Sequence, residues 1–322
     1  MQSVSDWSRF TALGALACAA LLYALLSGSA DLSPAELVRA ALGRGDALAH
    51  TVLVDLRLPR ALTAFAVGAL LAVAGVLLQA LFRNPLADPY VLGVSGGAAV
   101  SALLAMALGA GVALTQGAAA VGALAAVALV WSLGGRGGAT QLLLTGVVVA
   151  ATCGALVTLI LALSSAEELR GMIFWLAGDL SWSARPALTL LIAVAATATA
   201  TLLARPLDVL AAGELRSQSV GLDLRAVRAW VIAGAALLAA AAVLSAGTIG
   251  FVGLLAPHAA RLLFRTSQHR RVVPAAALLG GMLVTAADTV ARTVIEPRQL
   301  PVGALLALLG APAFLLLLRR AR

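Results

Sequence analysis

Two long apolar runs are held apart between Arg83 and Ala98 by Asn-Pro-Leu-Ala-Asp-Pro-Tyr-Val-Leu-Gly-Val-Ser-Gly-Gly-Ala, a stretch that can neither continue a helix nor lie against lipid. Pro85 and Pro89 lack the backbone donor and push the residues before them out of the helical region. Gly93, Gly96 and Gly97 permit tight turns and close backbone contact. At membrane depth such backbone persists only when it is buried in protein or borders a watery passage. Asn84 and Asp88 add polar groups that need partners there. A chain built around this interruption is expected to carry a substrate or ion pathway.

The membrane setting follows from composition: 62% of the 322 residues are hydrophobic and 11% are charged. A soluble domain carries about a quarter charged residues. The net charge of +8 does not indicate nucleic acid, because the basic residues are dispersed between apolar runs without an aromatic-interleaved patch. Every basic side chain is Arg, so no Lys is present to cradle a nucleotide phosphate, and no G-x-x-x-x-G-K-[ST] loop occurs. Cys18 and Cys153 lie inside apolar runs and read as small buried hydrophobes, not as a disulfide or a metal pair.

A helix crossing a bilayer needs roughly 20 apolar residues. About ten such runs are present: Phe10 to Leu26, Ala61 to Phe82, Val91 to Gly109, Val112 to Leu133, Thr140 to Leu163, Pro186 to Ala204, Ala229 to Ala246, Gly247 to Phe264, Val273 to Arg292 and Val302 to Leu318. The first resembles a signal peptide in its charge and small residues but reads as an uncleaved span. In the eighth, Pro257 and His258 are expected to interrupt the helix. With both termini cytoplasmic, 14 of the 22 arginines fall on the cytoplasmic side, as the positive-inside rule asks. The fold expected is a single all-α polytopic domain, residues 1–322, with an even number of spans.

The longest cytoplasmic connection, Arg205 to Arg228, is too charged for lipid. Leu210, Leu215, Val220, Leu222 and Leu224 fit short amphipathic helices broken at Gly213 and Gly221, and the same residues fit a solvated loop.

Several stretches together resemble one family. They are Arg57-Leu58-Pro59-Arg60, Gly68, Gly75, Gln79, Arg83-Asn84-Pro85-Leu86-Ala87-Asp88-Pro89 and Leu92-Gly93-Val94-Ser95-Gly96-Gly97-Ala98. A second block is Gly247-Thr248-Ile249-Gly250-Phe251-Val252-Gly253-Leu254 with Pro257-His258 and Arg261, and a third is Leu300-Pro301-Val302-Gly303 with Gly310-Ala311-Pro312. In order and extent they resemble the permease subunits of type II ABC importers, the FecCD-like proteins that take up ferric siderophores, haem and cobalamin.

The resemblance implies a ten-span, non-catalytic subunit of the bacterial inner membrane, paired with a second copy around a central path. It also implies a cytosolic ATPase dimer below, which binds ATP and Mg, and an extracytoplasmic substrate-binding protein above; this chain holds no cofactor of its own. By the same transfer Arg57, Arg60 and Arg292 meet acidic residues of the binding protein, where charged rims set encounter and register. For Arg292 an i,i+4 pair with Asp288 is equally open. Asn84, Leu86, Ala139 and Thr140 become the inner constriction, although Asn84 equally suits a turn cap before Pro85. Gly213, Glu214, Val220 and Gly221 become the centre of the ATPase coupling loop, about residues 205–228.

His258 sits in a signature shared across substrates and reads as a buried structural residue, not a haem ligand. Tyr90, Trp175 and Trp182 read as interface or pocket aromatics, and Glu167 to Trp182 as a short helix at the external entrance. Gly93-Val94-Ser95-Gly96 also fits an intramembrane serine protease with Ser95 as nucleophile and His258 as base, which requires the two to lie within hydrogen-bond reach. The extent of the permease motifs favours transport over that alternative.

Overall fold

A computed structural model describes residues 2–28, 32–44, 46–135, 138–182, 185–213, 223–295 and 298–320. Those residues form helices and connecting turns, with no strand. In chain order the helices are α1 (Gln2–Leu26), α2 (Pro34–Ala41), α3 (Ala47–Thr51), α4 (Leu58–Phe82), α5 (Val94–Ala107), α6 (Val112–Gly134) and α7 (Gly138–Leu163). They continue as α8 (Ala166–Leu176), α9 (Pro186–Leu202), α10 (Ala204–Ala211), α11 (Leu224–Ala246), α12 (Val252–Phe264), α13 (His269–Thr293) and α14 (Val302–Arg320).

Among the described residues six helices are long and apolar enough to cross a membrane: α1, the α3–α4 unit, α6, α7, α11 and α13. The pair α9 and α10, bent by 63°, meets the same length and apolarity only when taken together. The shorter apolar helices α5, α12 and α14 occupy the remaining expected runs. The bend has a chemical reason: α10 carries Arg205 and Asp208 on one face while Leu207 and Leu210 are buried on the other, so it lies along the bundle instead of extending α9.

Three boundaries differ from expectation. The third run becomes helical only at Val94, because Pro89–Leu92 is a 3-10 turn closed by Gly93 at φ 77°. The eighth becomes helical only at Val252, and Gly247 to Phe251 is irregular. Pro257, expected to interrupt that helix, lies inside α12, which runs unbroken to Phe264.

Helix α4 is the axis of the molecule. Nearly every residue from Ala61 to Phe82 is buried, and α13, α11, α9 and α12 pack around it. Two contacts set the distance of closest approach. A Cβ on Gly68 would collide with the backbone of Gly280, and one on Gly75 with the backbone of Gly253. Helices that associate in lipid lack a hydrophobic driving force between them, so small residues that let backbones touch replace it. On the other side, α5 packs against α6 and α7. The first span is fastened to this bundle by buried Leu13, Ala17 and Ala24 and by Phe10, whose ring lies 4.5 Å from that of Phe264.

Candidate functional site

The Asn84 to Gly97 interruption is bonded from within and then locked to a second one. Helix α4 ends at Arg83, which adopts the left-handed conformation at φ 50°. Asn84 Oδ1 accepts from the Leu86 amide at 2.9 Å, which closes an Asx turn. Asp88 Oδ1 accepts from the Tyr90 amide at 2.9 Å and starts the 3-10 turn. Across the molecule the Ile249 amide donates to the Tyr90 hydroxyl at 3.0 Å, so an exposed-looking phenol in the sequence becomes the acceptor for backbone of the Gly247 to Phe251 segment.

That second interruption is itself constrained. Gly247 lies at φ 66° and Phe251, a bulky residue, at φ 68°. Left-handed backbone at such a residue costs on the order of 1–3 kcal/mol and persists only where its surroundings dictate it. They do so here: the Thr248 hydroxyl donates to the Leu176 carbonyl, the Asp179 amide donates to Ala246 at 2.9 Å, and the Ala304 amide donates to Ala177 at 3.1 Å. The ends of α8, α11 and α14 thus meet at one place.

Gln79 and Arg261, two motif residues far apart in the chain, meet at a proline of α12. Pro257 has no amide to donate to the carbonyl four residues back, which is Gly253. Gln79 Nε2 donates to that carbonyl at 2.9 Å, and Gln79 Oε1 accepts from Arg261 at 2.6 Å. The buried amide of α4 therefore restores the bond that proline removes from α12. A proline inside an apolar run, with an amide side chain on another run, is the signal from which such a bridge is read.

Beside this junction lies a cavity of about 490 Å³. Tyr90, Ser95 and Gly96 border it from the first interruption and α5, Gly154 and Val157 from α7, Thr248 and Gly250 from the second interruption, and Gly303 and Ala307 from α14. No charged side chain lines it. Small side chains, three hydroxyls and irregular backbone can let a bulky solute pass without holding it tightly. Asn84, Leu86, Ala139 and Thr140 do not border this cavity. Leu86 and Thr140 are exposed, Ala139 is half-buried against the core, and Asn84 serves the Asx turn.

At the other end of α4 two of the three arginines share one carboxylate. Asp288, 1% exposed, receives Arg60 at 2.9 Å and Arg292 at 3.1 Å. Arg60 also donates to Ser181 Oγ at 3.2 Å and Gln299 Oε1 at 2.9 Å. Arg57 is buried and donates to the carbonyls of Leu25 at 3.0 Å and Leu26 at 3.3 Å, while Arg292 reaches the Ala24 carbonyl at 3.3 Å. Both arginines therefore satisfy carbonyls that the end of α1 leaves without helical partners. The i,i+4 pair between Asp288 and Arg292 is present. A cavity of about 370 Å³ opens between Arg57, Arg60, Ser181 and Gln299.

The remaining expectations fall as follows. The segment Glu167 to Trp182 holds a short helix, α8, which ends at Leu176 and is opened by a capping box in which Ser165 and Glu168 exchange bonds. Trp175 is buried in the core at 2% exposure, not at an interface, because it lies under the α8 end that the second interruption covers. The side chain of Trp182 lies outside the described residues, as do Glu214, Val220 and Gly221. Gly213 is described, at φ 111° close to the Arg83 guanidinium. His258 is buried on α12 with its ring edge-on to Phe314, 6.1 Å between centroids, whereas Ser95 borders the cavity that His258 does not reach. The protease alternative is therefore not supported. Among the described residues no three His, Cys, Asp or Glu side chains are placed to hold a metal.

The chain is similar to known proteins along most of its length. The sequence profile of the FecCD transport family matches residues 16–320. The chain is 44% identical to the cobalamin import system permease protein BtuC of Halobacterium salinarum over 84% of its own length and 74% of that protein. It is 38% identical to the hemin transport system permease protein HmuU of Yersinia pestis over 94% of each. Among solved structures, an inward-facing conformation of a metal-chelate type ABC transporter superposes with a TM-score of 0.89 at 29% identity, covering 97% of this chain and 99% of that one. A multi-pass inner-membrane protein by its helices and by its relatives, the chain belongs to the FecCD transport family.

Proposed function

We propose that this chain is the permease subunit of an ATP-driven importer, passing a metal-chelate compound of the haem, cobalamin or ferric siderophore class across the inner membrane. The observation that carries the reading is the cavity of about 490 Å³ at the junction of the two interruptions, in a chain whose relatives include permeases named for cobalamin and for hemin. A path without charged lining suits cargo already enclosed in an organic chelate. Selection then belongs to a separate binding protein, and ATP hydrolysis with its Mg belongs to a separate ATPase dimer; this subunit needs no cofactor.

Two copies form the working unit, with α7 and α14 towards the shared path. The binding protein docks on the face holding Arg57, Arg60 and Arg292. Arg60 makes the contact there, and Arg57 and Arg292 hold α1 and Asp288 in place behind it. On the opposite side the connection around Gly213, Glu214, Val220 and Gly221 receives the ATPase stroke, and Asn84, Leu86, Ala139 and Thr140 form the constriction that the stroke opens. Alternating access then follows from ATPase states that bind the two conformations unequally.

The test is reconstitution of the chain in proteoliposomes with a partner ATPase dimer and a substrate-binding protein. Haem, cobalamin and ferric chelates are offered in turn, with the affinity of the binding protein measured for each. Uptake of one class that depends on ATP and on the binding protein is the expected result. Absence of uptake for all three, with a well-folded complex, would remove the substrate assignment.

A further inference from the structure

Two cavities unrelated to the path meet at Pro274. One, of about 560 Å³, is an apolar trough between α4, α9 and α13, walled by Phe65, Val194, Thr197, Ala198 and Leu278. The other, of about 550 Å³, lies between the start of α1 and the start of α13 and is bordered by Asp6, Trp7, Arg270 and Arg271. Pro274 lines both. Arg270, Pro274 and Leu278 follow at i,i+4 spacing and share one face of α13, so the trough leads along a membrane-spanning helix into a basic pocket at its end.

The charges there do not cancel. Asp6 receives Arg271 at 2.9 Å and stands 4.0 Å from Arg9. Arg270 is exposed and makes no ion pair among the described residues. Arg9 and Arg271 thus share Asp6 and the neighbouring Asp208 is taken by His269, which leaves Arg270 over. Trp7, 75% exposed, presents an indole beside the pocket, the side chain favoured at headgroup depth. A hydrocarbon-shaped trough ending in uncompensated positive charge matches a molecule with an alkyl tail and an anionic head. We propose that this is a binding site for an anionic phospholipid, with the phosphate beside Arg270 and one acyl chain along the trough past Pro274. Basic pockets between helices at a membrane surface suit such headgroups, whereas a zwitterionic lipid would place its ammonium against Arg270 and gain less.

The full chain, purified in mild detergent, is examined by native mass spectrometry with dioleoyl-phosphatidylglycerol and dioleoyl-phosphatidylcholine. One phosphatidylglycerol per chain is expected to be retained in preference to phosphatidylcholine. Arg270→Gln should weaken its retention roughly fivefold, the effect of one arginine near a charged lipid surface, and Arg270→Lys should restore it. Ala198→Trp, at an exposed position in the trough, should displace both lipids without lowering the melting temperature. Equal retention of the two lipids, or phosphatidylglycerol retention unchanged in both Arg270→Gln and Ala198→Trp, would overturn the site. So would efficient crosslinking of Ala198→Cys between two copies in membranes, which would mean that protein covers the trough.

Discussion

Helix α4 has 25 residues and α7 has 26, and both are apolar around their whole circumference. Yet 89% of the most apolar stretch of the α4 unit is buried, against 11% of that of α7. In water such helices would both be driven inward. In a bilayer, lipid satisfies an apolar side chain as well as protein does, so burial is decided by how closely backbones can approach. Gly68 and Gly75 of α4 stand directly on Gly280 of α13 and Gly253 of α12, whereas the one such contact of α7, Gly146, is with the short turn at Val91, and a side chain added at its Gly154 would meet nothing within 4 Å. Helix α7 is held along one edge by α5 and α6 and leaves Leu144, Val147, Val148 and Leu159 exposed. That free face is where a second copy is proposed to sit.

The contrast is broken most forcefully at its tightest point. Gly68→Leu should cost at least about 3 kcal/mol, since the colliding partner is backbone and cannot rotate away. Loss of the monodisperse peak in size-exclusion chromatography is the expected readout, and a normal peak would mean that α4 and α13 are not in backbone contact.

Next in size is the charge cluster that anchors α4 at its arginine-bearing end. Asp288→Asn leaves Arg60 and Arg292 without their shared carboxylate and should destabilise by about 3–5 kcal/mol, read as a lower melting temperature. An unchanged melting temperature would indicate that solvent screens the cluster and that its role is confined to docking.

Tyr90→Phe keeps the ring but leaves the Ile249 amide unsatisfied, an expected cost of about 1–3 kcal/mol with cavity shape preserved. Reduced transport out of proportion to that loss would indicate that the two interruptions must stay bonded during the cycle.

Smallest in stability is Gly154→Leu on α7, expected to shift folding by no more than about 0.5 kcal/mol because the added side chain enters open space. Gly154 borders the cavity, so transport should fall while the melting temperature holds. Unaltered uptake would place the path away from α7.

Much of this architecture was legible before any coordinates. The interruption at Asn84 to Gly97 is announced by Pro85, Pro89 and Gly93, whose backbone restrictions act locally. A short helix in Glu167 to Trp182 was expected, and the signal for its start, unread in the sequence, is the reciprocal cap of Ser165 and Glu168, which needs four residues and nothing else. Arg57, Arg60 and Arg292 were less legible. The family resemblance implied a charged docking rim, yet Arg57 is turned inward to the carbonyls of α1, a partner more than 30 positions away in the chain. Trp175 misled in the same way, because an amphipathic ring near a membrane surface looks alike whether the next segment covers it or not.

Length, apolarity and punctuation by proline and glycine were determined by the sequence itself, because they express short-range sterics and the demand that every backbone group in lipid find a partner. Which partner it finds was decided only in three dimensions. The Gly253 carbonyl freed by Pro257 could have been satisfied by any nearby donor, and the close approach of α4 places Gln79 there. Likewise α4 is central and α7 peripheral although hydrocarbon accepts both, because contact between helices depends on matched surfaces that no single helix encodes.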